Sequence, residues 1–139
     1  MRKGLCFAPA LAAALLAACS TSPVSESKAR QAQPDHVFAY QTANGAHGDV
    51  TITRDSGMMG AGCLLSVFVN GTEAAKLGTS EKVTLQLAPG RWNLGAGYTS
   101  AICGGASSRR AVQVAVEAGD HLHYRLATTQ DDLSIVATD

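Results

Sequence analysis

Three constellations in this 139-residue chain could do chemistry. Cys19 follows Leu16, Ala17 and Ala18 at the end of a short apolar run, where small residues suit a signal cleavage point. Cys63 and Cys103 stand apart with no C-x-x-C spacing, which suits one disulfide in an oxidising compartment better than a redox or metal pair. His121 and His123 lie two apart on a predicted strand, so both rings leave one face, as a two-histidine clamp for copper or zinc requires. His36, His47, Met58 or Met59 could complete such a site, but spacing fixes no third ligand. The favoured reading is a polar strand face beside Arg125, with no metal and no cofactor. Other chemistries lack their motifs: there is no G-x-S-x-G, no H-E-x-x-H, no P-loop and no dinucleotide fingerprint, and Asp131-Asp132 reads as a turn. The expectation is a protein that is not an enzyme.

The elements around Cys19 have the layout of an export signal. Arg2 and Lys3 supply a cationic start, an apolar stretch runs from Leu5 to Leu16, and small residues precede the cut. The stretch is too short to cross a bilayer as a helix, which needs roughly 17 to 25 apolar residues. The run Leu16, Ala17, Ala18, Cys19 resembles the lipobox of bacterial lipoproteins. That resemblance implies removal of residues 1–18, a diacylglyceryl group on the Cys19 thiol and acylation of the new amino terminus. Two or three acyl chains hold a protein to a membrane where one gives only reversible attachment. Ser20 in the next position resembles lipoproteins sent to the outer membrane, so the expected place is that membrane, with the body facing the periplasm.

Composition bounds the rest. The chain carries 11 basic and 11 acidic residues, and the loss of Arg2 and Lys3 leaves the mature protein mildly acidic. No nucleic-acid partner is expected, because Arg109-Arg110 is the only adjacent basic pair beyond the signal. Residues 19–34 are rich in Ser, Thr, Gln, Ala and Pro without apolar periodicity, and read as a lipidated amino terminus followed by a disordered tether. As a flexible coil of about 15 residues it would span on the order of 20 Å, or about 50 Å fully stretched.

Residues 35–139 read as one β-sandwich domain. Val37 and Ala39 alternate with Phe38 and Tyr40, and Val50 and Ile52 with Thr51 and Thr53, the period of strands. Residues 64–69 are apolar on both parities except Ser66, as in a central strand, and end at Asn70-Gly71, a hairpin turn rather than a glycosylation sequon with Thr72. Val83, Leu85 and Leu87 lead to a second tight turn at Pro89-Gly90. Trp92, Leu94, Ala96 and Tyr98 share the next inward parity, which places Trp92 in the core. Val112, Val114 and Val116, then Leu122, Tyr124 and Leu126, continue the alternation, and a last strand runs over residues 133–137. The predicted architecture is all-β, an antiparallel sandwich of about seven to nine short strands with one disulfide. A Cys63–Cys103 bond would join the start of one strand to the end of another and close a loop of roughly 40 residues. It would also bring together two glycine-rich loops, 54–62 and 95–105. Arg54, Asp55, Ser56, Met58 and Met59 are the candidate binding residues there, since permissive loops on a rigid frame carry recognition.

The run from Val50 to Gly57, Gly62-Cys63, Asn70-Gly71, Leu77, Glu81-Lys82 and Pro89-Gly90 together resemble uncharacterised small lipoproteins of Gram-negative bacteria. Their domains are similar to PEGA or carboxypeptidase-regulatory modules, which are transthyretin-like sandwiches. The resemblance implies a fold and an envelope location and supplies no activity. The expected role is a structural or protein-interaction module whose partners are the membrane, through the anchor, and another envelope protein. The competing expectations are an inhibitor of a cell-wall hydrolase that plugs its cleft with the loop 54–62, or a weak copper or zinc binder through His121 and His123.

Overall fold

The computed structural model describes residues 21–138, so the signal, the lipobox and Cys19 lie outside the described residues. The described residues form an all-β sandwich of nine strands in two sheets. β1 (Arg30–Gln31), β5 (Glu81–Leu87), β2 (Gly48–Arg54), β8 (His121–Thr128) and β9 (Leu133–Thr138) form the first sheet in that order. β4 (Thr72–Leu77), β3 (Leu65–Val69), β6 (Gly90–Gly97) and β7 (Arg110–Val116) form the second.

Alternation sets which side chains meet between the sheets. Val50 and Ile52 of β2, Val83, Leu85 and Leu87 of β5 and Leu126 of β8 face Leu65, Val67 and Val69 of β3, Leu94 and Ala96 of β6 and Val114 and Val116 of β7. Fully burying one such side chain stabilises by about 1.5–3 kcal/mol, so this layer is the main driving force. β3 is buried along its whole length, as its apolar parity on both faces requires: Arg109 covers the outer face of Phe68 with its guanidinium 3.9 Å from the ring, and Ser66 donates to Glu73. Asn70-Gly71 makes the β3–β4 hairpin with both residues at positive φ, 49° and 80°. Trp92 packs against the core only partly buried, edge-on to Tyr40, with its indole N–H donating to the Ala88 carbonyl.

Three sequence expectations are corrected. The sandwich is not wholly antiparallel: β2 runs parallel to β8, and β1 parallel to β5. The cause is connectivity, because Pro89-Gly90 and the turn after Val116 each carry the chain from one sheet to the other instead of closing a hairpin. β8 therefore starts beside Asp49, at the same end as β2.

Residues 37–40 form no strand. A 3-10 turn at Pro34–His36 precedes them and Tyr40 sits at φ 61°, so the segment only lies along the edge of β4, with Phe38 N–H donating to the Ala74 carbonyl.

The tether is the third. From Thr21 onward the chain is docked on the outer face of the first sheet. Thr21 N–H donates to the Thr128 carbonyl, Ser22 exchanges two backbone bonds with Ser56, Lys82 donates to the Glu26 carbonyl, and Ala29 and Ala32 are buried. Arg30 and Gln31 then add β1 to the edge of β5. A coil pays conformational entropy of roughly 1–2 kcal/mol per residue to be ordered, and these bonds and buried methyls offset it. In hydrogen–deuterium exchange on the full chain, the amides of Thr21, Ser22, Arg30 and Ala32 are expected to be protected at least about tenfold over an unstructured peptide. Exchange at the unstructured rate would mean that the segment is free.

Candidate functional site

One end of the sandwich gathers the disulfide and the loop residues 54–62 that sequence reading singled out. There β2, β4, β6 and β8 finish and β3, β5, β7 and β9 begin. Cys63, just before β3, is joined to Cys103, just after β6, with Cα atoms 6.3 Å apart, as expected for antiparallel neighbours. The bond fastens the loop before β3 to the loop 98–109, which is itself shaped by 3-10 turns at Ala101–Cys103 and Gly105–Ser108. Within it the Ser108 hydroxyl accepts from Tyr98 N–H and donates to the Gly105 carbonyl. Between these loops and the turn before β9 lies a cleft of about 380 Å³, lined by Met59, Tyr98, Ile102, the disulfide and residues 128–133.

Arg54 and Asp55 are at this end but are not available as a binding loop. Each is only 1 % exposed. Arg54 continues the inward parity of Val50 and Ile52, and its guanidinium donates to the carbonyls of Cys63 at 2.6 Å, Leu77 at 2.7 Å and Gly60 at 2.7 Å. Burial lowers its pKa from the ordinary value, against which the negative potential of Tyr98 and Glu81 acts, and an arginine stays charged through such a shift. Asp55 continues the outward parity and accepts two bonds from Arg125 and one from the Thr21 hydroxyl. The side-chain hydrogen bonding that Arg125 donates to Asp55, more than the charge attraction, raises the pKa of Arg125. Ser56 is paired with Ser22. These residues therefore build the loop end instead of presenting it.

The sequence signal for this was present: Arg54 shares the parity of two core residues. That parity is weak evidence in one dimension, because an arginine in a core is rare and a charged residue at a strand end reads equally well as the first of a loop.

What the loop end does present is apolar. Met58 is 94 % exposed, Ile102 97 % and Leu64 39 %, and these are three of the five large apolar side chains exposed among the described residues. Met59 lies half-buried in the cleft. Gly60 supports the loop at φ 67°, where a Cβ would overlap the Tyr98 hydroxyl. Gly60→Ala is expected to cost about 2 kcal/mol from the left-handed backbone and the displaced ring. Urea unfolding would show it as a lower midpoint at unchanged slope, and an unchanged midpoint would mean the ring yields freely.

The histidines sit on the outer face of the first sheet. His121 lies beside Asp49, 3.6 Å from its carboxylate, which His47 also approaches at 3.8 Å, and His123 lies beside Glu26 at 3.0 Å, so the two rings of the pair face different carboxylates. Tyr124, next to them, has its pKa raised by burial. Among the described residues no three His, Cys, Asp or Glu side chains converge as a metal would need. No described helix is long and apolar enough to cross a membrane. Compared with protein-family models, characterised proteins and solved structures, the chain matches none.

Proposed function

We propose that this chain is a non-catalytic, lipid-anchored protein of the bacterial envelope, held at the outer membrane through Cys19 with its body in the periplasm. In this reading its transthyretin-like sandwich, of the kind its sequence resembles, is a structural or protein-interaction module. The lipobox supports the anchor, and the asymmetry of the sheet edges supports the interaction role. On one flank both edges are blunted: β4 by residues 37–39 and β5 by β1. On the other, among the described residues, β9 pairs only with β8 and β7 only with β6. β9 offers six residues of free edge, with Val136 exposed. An open edge of that length is a template for an added strand, in which main-chain bonds give affinity and alternate side chains give selectivity.

The observation that carries the reading is this open β9 edge beside a blunted opposite flank. A photo-crosslinking amino acid at position 136, in the native lipidated protein in intact cells, is expected to capture an envelope protein, and the same probe at Phe38 is expected to capture none. Adducts formed only from position 58, and only with a cell-wall hydrolase, would contradict the module and favour the inhibitor. Equal capture from both flanks would contradict the edge.

A further inference from the structure

We infer that the disulfide-clamped end of the sandwich rests on the lipid surface, with Met58, Leu64 and Ile102 inserted at the headgroup level, so that the anchor holds the body flush against the membrane. The inference rests on the proposed lipidation of Cys19.

The first observation is where the docked chain begins. Thr21 is bonded to Thr128 through its backbone, to Asp55 through its hydroxyl, and lies against Gly57, all at the loop end. Cys19 is two residues upstream. Two residues reach at most about 7 Å however they are arranged, so a lipid on that thiol must enter the bilayer beside this end of the body. A domain on a 15-residue coil could face any direction, whereas one fixed at Thr21 cannot.

The second observation is the character of the surface brought to the bilayer. Three of the five large exposed apolar side chains among the described residues gather at this end, and the remaining two, Phe38 and Val136, lie along the flanks. Such side chains partition into the boundary between headgroups and acyl chains, adding apolar contact to the lipid anchor. The nearby charges are mixed: Arg109 stacks on Phe68 and Arg110 pairs with Asp132 at 2.8 Å. The end therefore has no excess of free cations to demand an anionic lipid. The occupant is the zwitterion-rich headgroup surface itself, met by apolar side chains.

The orientation also fits the free edge of β9. That strand rises from Leu133 at the loop end toward Thr138 at the opposite end, so its edge stands out from the membrane and stays accessible.

The test uses the full lipidated protein in vesicles of phosphatidylethanolamine and phosphatidylglycerol carrying brominated acyl chains, which quench nearby indoles. Met58→Trp and Ile102→Trp place reporters at side chains that make little contact with the fold, and native Trp92, near the start of β6 at the other end, is the internal reference. Each introduced tryptophan is expected to lose at least about half its emission and shift to the blue, while Trp92 loses less than about a tenth, since insertion reaches roughly 5–10 Å. The intact mass of the same sample separates the two ways of failing. Lipidated protein with unquenched reporters would overturn the flush orientation, leave the anchor standing and free the apolar end for a protein or a second copy. An unmodified Cys19 would overturn both.

Discussion

Arg54→Met is expected to lower the unfolding free energy by about 3–5 kcal/mol, because it strips the donors from three carbonyls, that of Leu77 buried and those of Gly60 and Cys63 partly so. The affected carbonyls belong to Gly60, Cys63 and Leu77, so the loss would fall on the junction between the β2–β3 loop and the end of β4. For a domain of this size each kcal/mol moves the midpoint of thermal unfolding by about 3–6 °C, which makes a drop of about 10 °C or more the expected outcome. Arg54→Lys is the informative companion. An ammonium keeps the charge but cannot fork to carbonyls on both sides, so an intermediate loss is expected. Thermal and urea unfolding would read both, and a loss below about 1 kcal/mol for Arg54→Met would show that the guanidinium is a passenger.

Removing the disulfide, as Cys63→Ser with Cys103→Ser, is the second large effect. The bond spans 40 residues of sequence. The chain-entropy model assigns about 4 kcal/mol to a loop of that length, a large fraction of the roughly 5–15 kcal/mol that a small domain has in total. Apart from the disulfide, loop 98–109 is held mainly by bonds within itself, those of its 3-10 turns and of its serine hydroxyls. Early exchange is therefore expected in residues 57–64 and 98–109, with the β2, β5 and β8 amides protected until global unfolding. Measuring exchange before and after the substitution checks both statements. Loss of less than about 1 kcal/mol, or uniform loss of protection, would contradict them.

The two predictions concern features that differ in how well they can be read from sequence. The disulfide follows from counting thiols in a chain that reads as exported and from one thiol preceding a strand and the other following one. The hairpin at Asn70-Gly71 and the inward valines of β7 are local patterns of the same kind, set by positive φ and by period two. Parallel pairing of β2 with β8 is not local: it depends on two sheet-crossing connections whose direction no short window reveals.

The docked amino-terminal segment was illegible for a different reason. Its buried side chains are Ala29 and Ala32, too small to produce an apolar period, and its remaining support comes from backbone bonds and from Thr21, Glu26 and Arg30 meeting partners far along the chain. Composition therefore resembled a linker. At the candidate site the end of the molecule was legible and the presenting residues were only partly so: Met58 is displayed, while Arg54 and Asp55 turn inward and across the sheet. A buried charged pair of residues at a strand end looks the same, in one dimension, as a charged loop.

The central claim is that Cys19 carries lipid and begins the mature chain. Intact-mass measurement of the protein extracted from native membranes tests it most directly. The expected result is a single species that starts at Cys19, heavier than residues 19–139 by a diacylglyceryl group and one further acyl chain, with Cys63 and Cys103 oxidised. A free thiol at Cys19, or a chain that keeps residues 1–18, would contradict it.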